Sequence, residues 1–195
     1  MTAPFGAVAL LLVPLAVGSD TPLLRELGPG VYWLVVLLFG VLVTMRQGAT
    51  DGPAQVAVLD LAGVTVGMRI GGRALANTVV LLVFEAALVP VAVALYDLDL
   101  AHWNWWLPLF PLVAVGLGTL GALVDALTDG LAARTAIGPL LAVPLAVPLL
   151  LAAAQVPDAA RYGRPPWPWL LLALTTDLAV VLAAVVTARH LQEGG

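Results

Sequence analysis

What most constrains this chain is a succession of six apolar runs, at residues 4–17, 31–45, 74–95, 106–127, 137–156 and 167–188. A helix that crosses a bilayer needs about 20 consecutive apolar residues, whereas a barrel strand alternates apolar and polar over about 10. These runs do not alternate, so the sequence predicts an all-α integral membrane protein with six transmembrane helices. Composition agrees: 62% of the residues are hydrophobic and 10% charged, against about 45–50% and about 25% in soluble domains. The first run is short, reaching about 21 Å at 1.5 Å per residue, and a core is about 30 Å thick. No basic n-region precedes Phe5, so it reads as a short first span rather than a signal peptide.

The polar breaks set expectations between the spans. Residues 18–22 stop the first run, Leu23 to Leu27 is a short polar-edged turn or interfacial helix, and Gly28-Pro29-Gly30 is expected to reset the backbone. Tyr32 and Trp33 then sit where an interfacial aromatic belt belongs. Pro90 is expected to kink the third span, and Pro139, Pro144 and Pro148 to interrupt the fifth. Residues 96–105 and 157–166 are polar connections. Gly116, Gly118 and Gly121 in the fourth span suit close helix packing. The longest stretch that cannot span is Arg46–Arg73, with Asp51, Asp60, Arg46, Arg69, Arg73 and many glycines. An even number of spans puts both termini on one side. If that side is cytoplasmic, five arginines lie inside (Arg46, Arg69, Arg73, Arg134, Arg189) and three outside (Arg25, Arg161, Arg164), in the direction of the positive-inside bias.

Several chemistries are excluded. The chain has no cysteine, so it has no disulfide framework, thiolate metal site or covalent haem attachment. A net charge of −4 and no basic stripe argue against nucleic acid. There is no P-loop, His-Glu-x-x-His or Gly-x-Ser-x-Gly, so neither ATP binding by this chain nor hydrolase chemistry is expected. The chain does not read as an enzyme, and no metal site is expected.

Read in order, the chain resembles the CcmB family, the membrane subunit of the haem-handling ABC transporter of bacterial cytochrome c maturation. Four stretches carry the resemblance: Gly18–Trp33; Asp51-Gly52 with Gly72-Arg73-Ala-Leu-Ala-Asn77; Glu85–Val91 with Leu95-Tyr-Asp-Leu98; and Leu117–Gly121 through Ala133-Arg134 to Pro139–Pro148. The chain departs where it lacks a basic amphipathic segment before the first span, has Gln55 where the family often has Glu, and is about two residues longer before Gly72. The resemblance implies a single permease domain over residues 1–195, of ABC-exporter type, in the bacterial inner membrane with both termini cytoplasmic. It implies that ATP and magnesium are bound by a separate ATPase, CcmA, that haem is the cargo of the complex rather than a cofactor of this chain, and that CcmC, CcmD and the haem chaperone CcmE are partners alongside membrane lipid.

On that reading, residues 46–73 form a cytoplasmic coupling loop. Its segment Gln55–Leu61 is apolar with two polar breaks, so it is expected to form a short helix along the membrane face, ended by Gly63 and Gly67. The residues expected to couple to the ATPase are Asp51, Gly52, Gln55, Val56, Leu59, Asp60, Arg69 and Arg73, with Arg134 in the shorter loop. Asp substitution at Val56 or Leu59 should detach the ATPase.

Three carboxylates fall inside or near spans: Glu85, Asp125 and Asp177. A charged group at bilayer depth costs several kcal/mol unless it faces protein or water or is protonated. The competing readings for Glu85 and Asp177 are a polar point in a transport path and an interhelical hydrogen bond; Asp125 is nearer a span end and is explained by interfacial solvation. No arginine falls within a span, so no counter-ion is expected for any of them. His102, Trp103, Trp105 and Trp106 could face haem, yet tryptophan is expected at a membrane surface in any case, and an aromatic belt explains them better. Two other function classes remain: a membrane scaffold without transport, and a secondary transporter using Glu85 and Asp177 as ion sites. The second would show symmetry between halves, and none is visible.

Overall fold

The computed structural model describes residues 2–18, 20–48, 53–98, 103–128 and 134–193. The described residues form seven helices and no strand: α1 (Thr2–Val17), α2 (Thr21–Gly48), α3 (Pro53–Leu61), α4 (Val66–Tyr96), α5 (Trp103–Thr128), α6 (Arg134–Arg161) and α7 (Trp167–Glu193). Five of them, α2, α4, α5, α6 and α7, are long and apolar enough to cross a membrane, and α1 is a shorter apolar helix. The six apolar runs thus each lie in a helix of their own, and α3 is the short helix expected between the second and third.

The most buried of the long helices is α5, which packs against α2, α4, α6 and α7. The other helices surround it, while α1 touches only α2 and α4. Ion pairs and contacts define two ends of the bundle. One end gathers the start of α2, the end of α4, the starts of α5 and α7 and the end of α6; it carries the tryptophans. The other gathers α3, the start of α4 and the ends of α5 and α7, where Ile70, Ala122, Leu123, Ala184 and Ala188 form a small apolar cluster.

Local chemistry explains most boundaries. Gly18 ends α1 with φ +76°, and the Asp20 carboxylate accepts from the Leu23 N–H to cap α2. Pro53 opens α3, where a missing N–H costs nothing. Gly63 at φ +76° closes α3, with the Val64 N–H donating back to the Leu59 carbonyl. The Thr65 hydroxyl accepts from the Met68 N–H and starts α4.

Three expectations fail. Gly28-Pro29-Gly30 does not break the chain: α2 runs straight through it, and α6 likewise runs through Pro139, Pro144, Pro148 and Pro157. Proline removes the N–H that would bond the carbonyl four residues back, and at two of the prolines, Pro29 and Pro14, a long-range donor takes over that carbonyl. Pro29 frees the Arg25 carbonyl, which accepts from Arg161 Nη1 at 3.2 Å; Pro14 frees the Leu10 carbonyl, which accepts from the Tyr96 hydroxyl at 2.7 Å. Membrane helices tolerate proline through such substitutes. Second, the 46–73 loop is shorter than expected. Arg46 belongs to the last turns of α2, while Gly67, Arg69, Gly71, Gly72 and Arg73 belong to α4, so Gly67 does not turn the chain back. The 157–166 connection shrinks in the same way because α6 continues to Arg161. Third, Tyr32 and Trp33 are not a belt. Each is 1% exposed, and Trp33 stacks on Trp106 with centroids 6.0 Å apart; the aromatic cluster is part of the core joining α2 to α5.

Candidate functional site

At one end of the bundle, α3 is set apart from the rest. Among the described residues it packs against none of the other helices. Gln55, Ala57 and Val58 are exposed, Leu59 is half-buried, and Leu61 is 90% exposed. A nine-residue helix carrying open apolar side chains, tethered between two long helices, is a surface in want of a cover. Asp51 and Gly52 lie outside the described residues; so do the side chains of Val56, Asp60 and Arg134, whose backbones belong to α3 and to the start of α6. Arg69 lies half-buried one turn into α4.

Next to α3, the structure corrects the reading of Asp125. It is 6% exposed, not solvated at an interface, and it has a counter-ion: Arg73 Nη1 donates to Asp125 Oδ2 at 2.8 Å. The reason is the early start of α4, which carries Arg73 into the helix pair α4–α5. One turn further along α4 the same pair is joined by a hydrogen bond and close packing. Asn77 Nδ2 donates across to the Gly118 carbonyl at 3.2 Å, while the Thr78 hydroxyl, packed on Gly118, donates within α4 to the Ala74 carbonyl at 2.8 Å. A Cβ on Gly118 would stand 2.8 Å from the Thr78 nitrogen, so glycine is what lets the backbones approach. Neither Asn77 nor Thr78 is a charged residue, and sequence reasoning assigned neither a site role; Asn77 enters only as the end of a stretch that carries the family resemblance.

Farther into the bundle lie Glu85 on α4, fully buried, and Asp177 on α7, 5% exposed. Neither carboxyl has a hydrogen-bond partner, and the indole N–H of Trp33 is buried without one as well. Asp177 packs on Gly116, where a Cβ would collide with its carboxyl and come within 2.7 Å of Leu149. Asp177 therefore sits where α5, α6 and α7 meet. Glu85 sits beside α2: its backbone carbonyl accepts from the Tyr32 hydroxyl at 3.0 Å.

The other end carries the aromatic residues. His102 lies outside the described residues. Trp103 is 60% exposed, Trp105 meets Trp167 edge to face at 5.3 Å, and Trp106 is buried against Trp33. The tryptophan run thus divides between surface and core. Around it, Arg25 pairs with Asp97, a residue held in the left-handed region at φ 48° where α4 ends, and Arg164 pairs with Asp158. Among the described residues, no three of His, Asp or Glu are grouped to hold a metal ion.

This architecture can be compared with known proteins. A family model described as "CcmB protein" matches residues 1–193. The chain belongs to the CcmB family. "Heme exporter protein B" of Haemophilus influenzae is 31% identical over 165 residues, covering 83% of this chain and 73% of that protein. The protein of the same name from Pseudomonas aeruginosa is 31% identical over 201 aligned positions, covering 96% and 85%. That of Paracoccus denitrificans is 28% identical over 185, covering 94% and 85%. The match extends over the whole helical bundle, so the seven helices above are those of a CcmB-family chain.

Proposed function

We propose that this chain is the permease subunit of an ATP-driven transporter that handles haem in cytochrome c maturation. Its similarity to proteins called heme exporter protein B supports haem as the cargo of the complex, and the CcmB resemblance supports the partners: a CcmA-type ATPase that binds ATP and magnesium, CcmC and CcmD in the membrane, and the chaperone CcmE. The single domain lies in the bacterial inner membrane with the α3 end, and both termini, toward the cytoplasm.

The observation that carries the coupling role is α3 itself. A permease driven from outside the membrane needs a structured element that a soluble ATPase can grip. The helix α3 is free of the bundle, presents Val58 and Leu61 openly, and joins α4 through the short link of residues 62–65. The residues proposed to take part in the contact are Gln55, Val56 and Leu59 on α3, with Asp51, Gly52, Asp60, Arg69, Arg73 and Arg134. Burying a side chain such as Leu59 in a groove contributes about 1.5–3 kcal/mol, and an aspartate there would reverse that gain.

The test is co-purification. The wild-type chain in mild detergent should bring down an ATP-hydrolysing subunit, and Leu59→Asp should reach the membrane at the same level but lose it. No ATPase with the wild type would sink the permease reading; full retention by Leu59→Asp would sink α3 as the contact and move it to the loop around Arg134. The unpartnered Glu85 and Asp177 favour a second reading, a secondary transporter, which predicts substrate movement driven by an ion gradient without ATP.

A further inference from the structure

At the tryptophan end, two cavities meet. A cleft of about 360 Å³ opens between the start of α2 and the end of α6, lined by Arg25, Glu26, Gln155, Asp158 and Arg161. A groove of about 200 Å³ runs between α4 and α5, lined wholly by apolar surface from side chains that include Tyr32, Ala92, Trp103, Trp106, Leu107 and Phe110. Leu98 and Trp106 line both, so the cleft and the groove adjoin at these two side chains, one at the polar end and the other on the apolar side of the bundle. Together they reach the size of small-molecule sites, about 300–1,000 Å³. Trp103 and Leu107 on the groove's rim are 60% and 63% exposed on α5, a helix long and apolar enough to cross the membrane, so the groove faces lipid chains.

The charges of the cleft are specific. Arg25 is paired with Asp97, and Asp158 with Arg164. That leaves one cation and one anion. The Arg161 guanidinium donates to the Arg25 carbonyl and lies 5.9 Å from the Tyr162 ring, with no carboxylate partner among the described residues. The Glu26 carboxylate has no donor among them either. An exposed glutamate on the α2 wall and an exposed arginine on the α6 wall, beside an apolar groove, are complementary to a zwitterion with a tail.

We propose that the adjoining cleft and groove bind a phospholipid of the surrounding leaflet whose head carries a phosphate and a primary ammonium, with phosphate on Arg161, ammonium on Glu26 and an acyl chain in the α4–α5 groove. Guanidinium suits phosphate because several N–H groups can reach its oxygens. A primary ammonium offers three N–H donors to a carboxylate, which a trimethylated head lacks and a glycerol head replaces with neutral hydroxyls. A lipid so held would clasp α2, α4, α5 and α6 from outside.

The experiment is native mass spectrometry of the full chain, stripped of lipid in detergent and titrated with phosphatidylethanolamine, phosphatidylcholine or phosphatidylglycerol of identical acyl chains. Phosphatidylethanolamine should fill one saturable site about tenfold more tightly than phosphatidylcholine, the worth of one charge-assisted hydrogen-bond set. Glu26→Gln, which breaks no contact in the fold, should bring the two within about twofold, leaving the apolar contribution intact. Arg161→Gln should weaken all three lipids, and Val93→Phe, which narrows the groove at a partly exposed position, should do the same with the head-group order unchanged. Equal binding of the three lipids, a preference for phosphatidylglycerol, or a preference for phosphatidylethanolamine that survives Glu26→Gln would overturn the assignment. Displacement of the lipid by protoporphyrin or haem at equal stoichiometry would also overturn it, making the cleft and groove a cargo site instead.

Discussion

Among the described glycines, Gly118 is the one whose added Cβ would have the backbone of another helix among its nearest atoms, and it yields a prediction with a sign that ordinary helix propensity would get wrong. Replacing a helical glycine by alanine stabilises an open position by about 1 kcal/mol. At Gly72 and Gly71 on α4 an added Cβ meets nothing within 4 Å, so Gly72→Ala should follow that rule. At Gly118 the added Cβ would stand 2.8 Å from the Thr78 nitrogen and 3.0 Å from the Ala74 carbonyl oxygen. Both are backbone atoms and cannot rotate away, so α4 and α5 must separate. Overpacking of this kind costs about 1–3 kcal/mol, and separation also stretches the Asn77 bond to the Gly118 carbonyl, about 0.6 kcal/mol by the average for membrane interiors. Against the gain in propensity, Gly118→Ala should still be a net loss, and the two variants should differ by about 2–4 kcal/mol. For a chain of this length about 2–4 °C in Tm follows per kcal/mol, so their melting temperatures in one detergent should lie about 5–15 °C apart, Gly72→Ala above wild type and Gly118→Ala below. Fluorescence-detected thermal melting of purified protein measures both. A Gly118→Ala protein that melts at or above wild type would refute the close packing of α4 on α5.

Tyr96→Phe should cost about 1 kcal/mol by leaving the Leu10 carbonyl without a donor, and Pro14→Ala should recover that loss by restoring an N–H four residues on; additive losses in the double variant would show that the two are not coupled. Glu85→Gln should reach the membrane at wild-type level and melt no lower, since neither carboxyl oxygen has a partner to lose; loss of cytochrome c maturation at normal protein level would show instead that the acid group is used. The purified chain alone should not bind haem tightly, and a defined Soret band that vanishes in His102→Ala would contradict this. Two glycines inserted after Gly63 should leave an ATPase bound while abolishing ATP-driven function, because the link from α3 to α4 would no longer carry force; normal activity of that variant would mean that α3 does not drive α4.

What could be read from the sequence was decided by length and local chemistry. Six apolar runs need six helices because hydrocarbon leaves the backbone no other donor or acceptor, and α3 could be placed because an apolar segment between polar breaks precedes Gly63, which adopts the left-handed turn expected of it. Helix continuity at Pro29 could not be read, since the donor that replaces the missing N–H is Arg161, more than a hundred residues away. Nor could the counter-ion of Asp125: Arg73 becomes one only because α4 starts at Val66, and a run of glycines at 67, 71 and 72 reads as loop although all three belong to that helix. Trp33 and Trp106 look like any interfacial tryptophans until α2 and α5 are placed side by side. The site residues divide in the same way. Glu85 and Asp177 were conspicuous as charges in apolar runs, whereas Asn77 and Thr78 were not, although Asn77 bonds across to α5 and Thr78 packs on Gly118.

The position of these fasteners bears on how force from α3 would travel. From the α3 end inward, α4 is tied to α5 by the Ile70–Ala122–Leu123 cluster, by the Arg73–Asp125 pair, and by Asn77 and Thr78 at Gly118. The ion pair holds a carboxylate that would be costly to bury alone, and breaking such a pair is far more expensive than keeping it. Over this half, then, α4 and α5 move as one body or not at all. Beyond it, α4 carries the unpartnered Glu85 and Pro90, and α5 turns Gly116 toward the unpartnered Asp177. A buried carboxyl without a partner gains from any displacement that brings it a donor or water, so this second half has less to lose by shifting than the first. If α3 is gripped as proposed, a pull on it would reach α5 through the fastened half of the α4–α5 pair, and be passed toward the half where Glu85 and Asp177 lie.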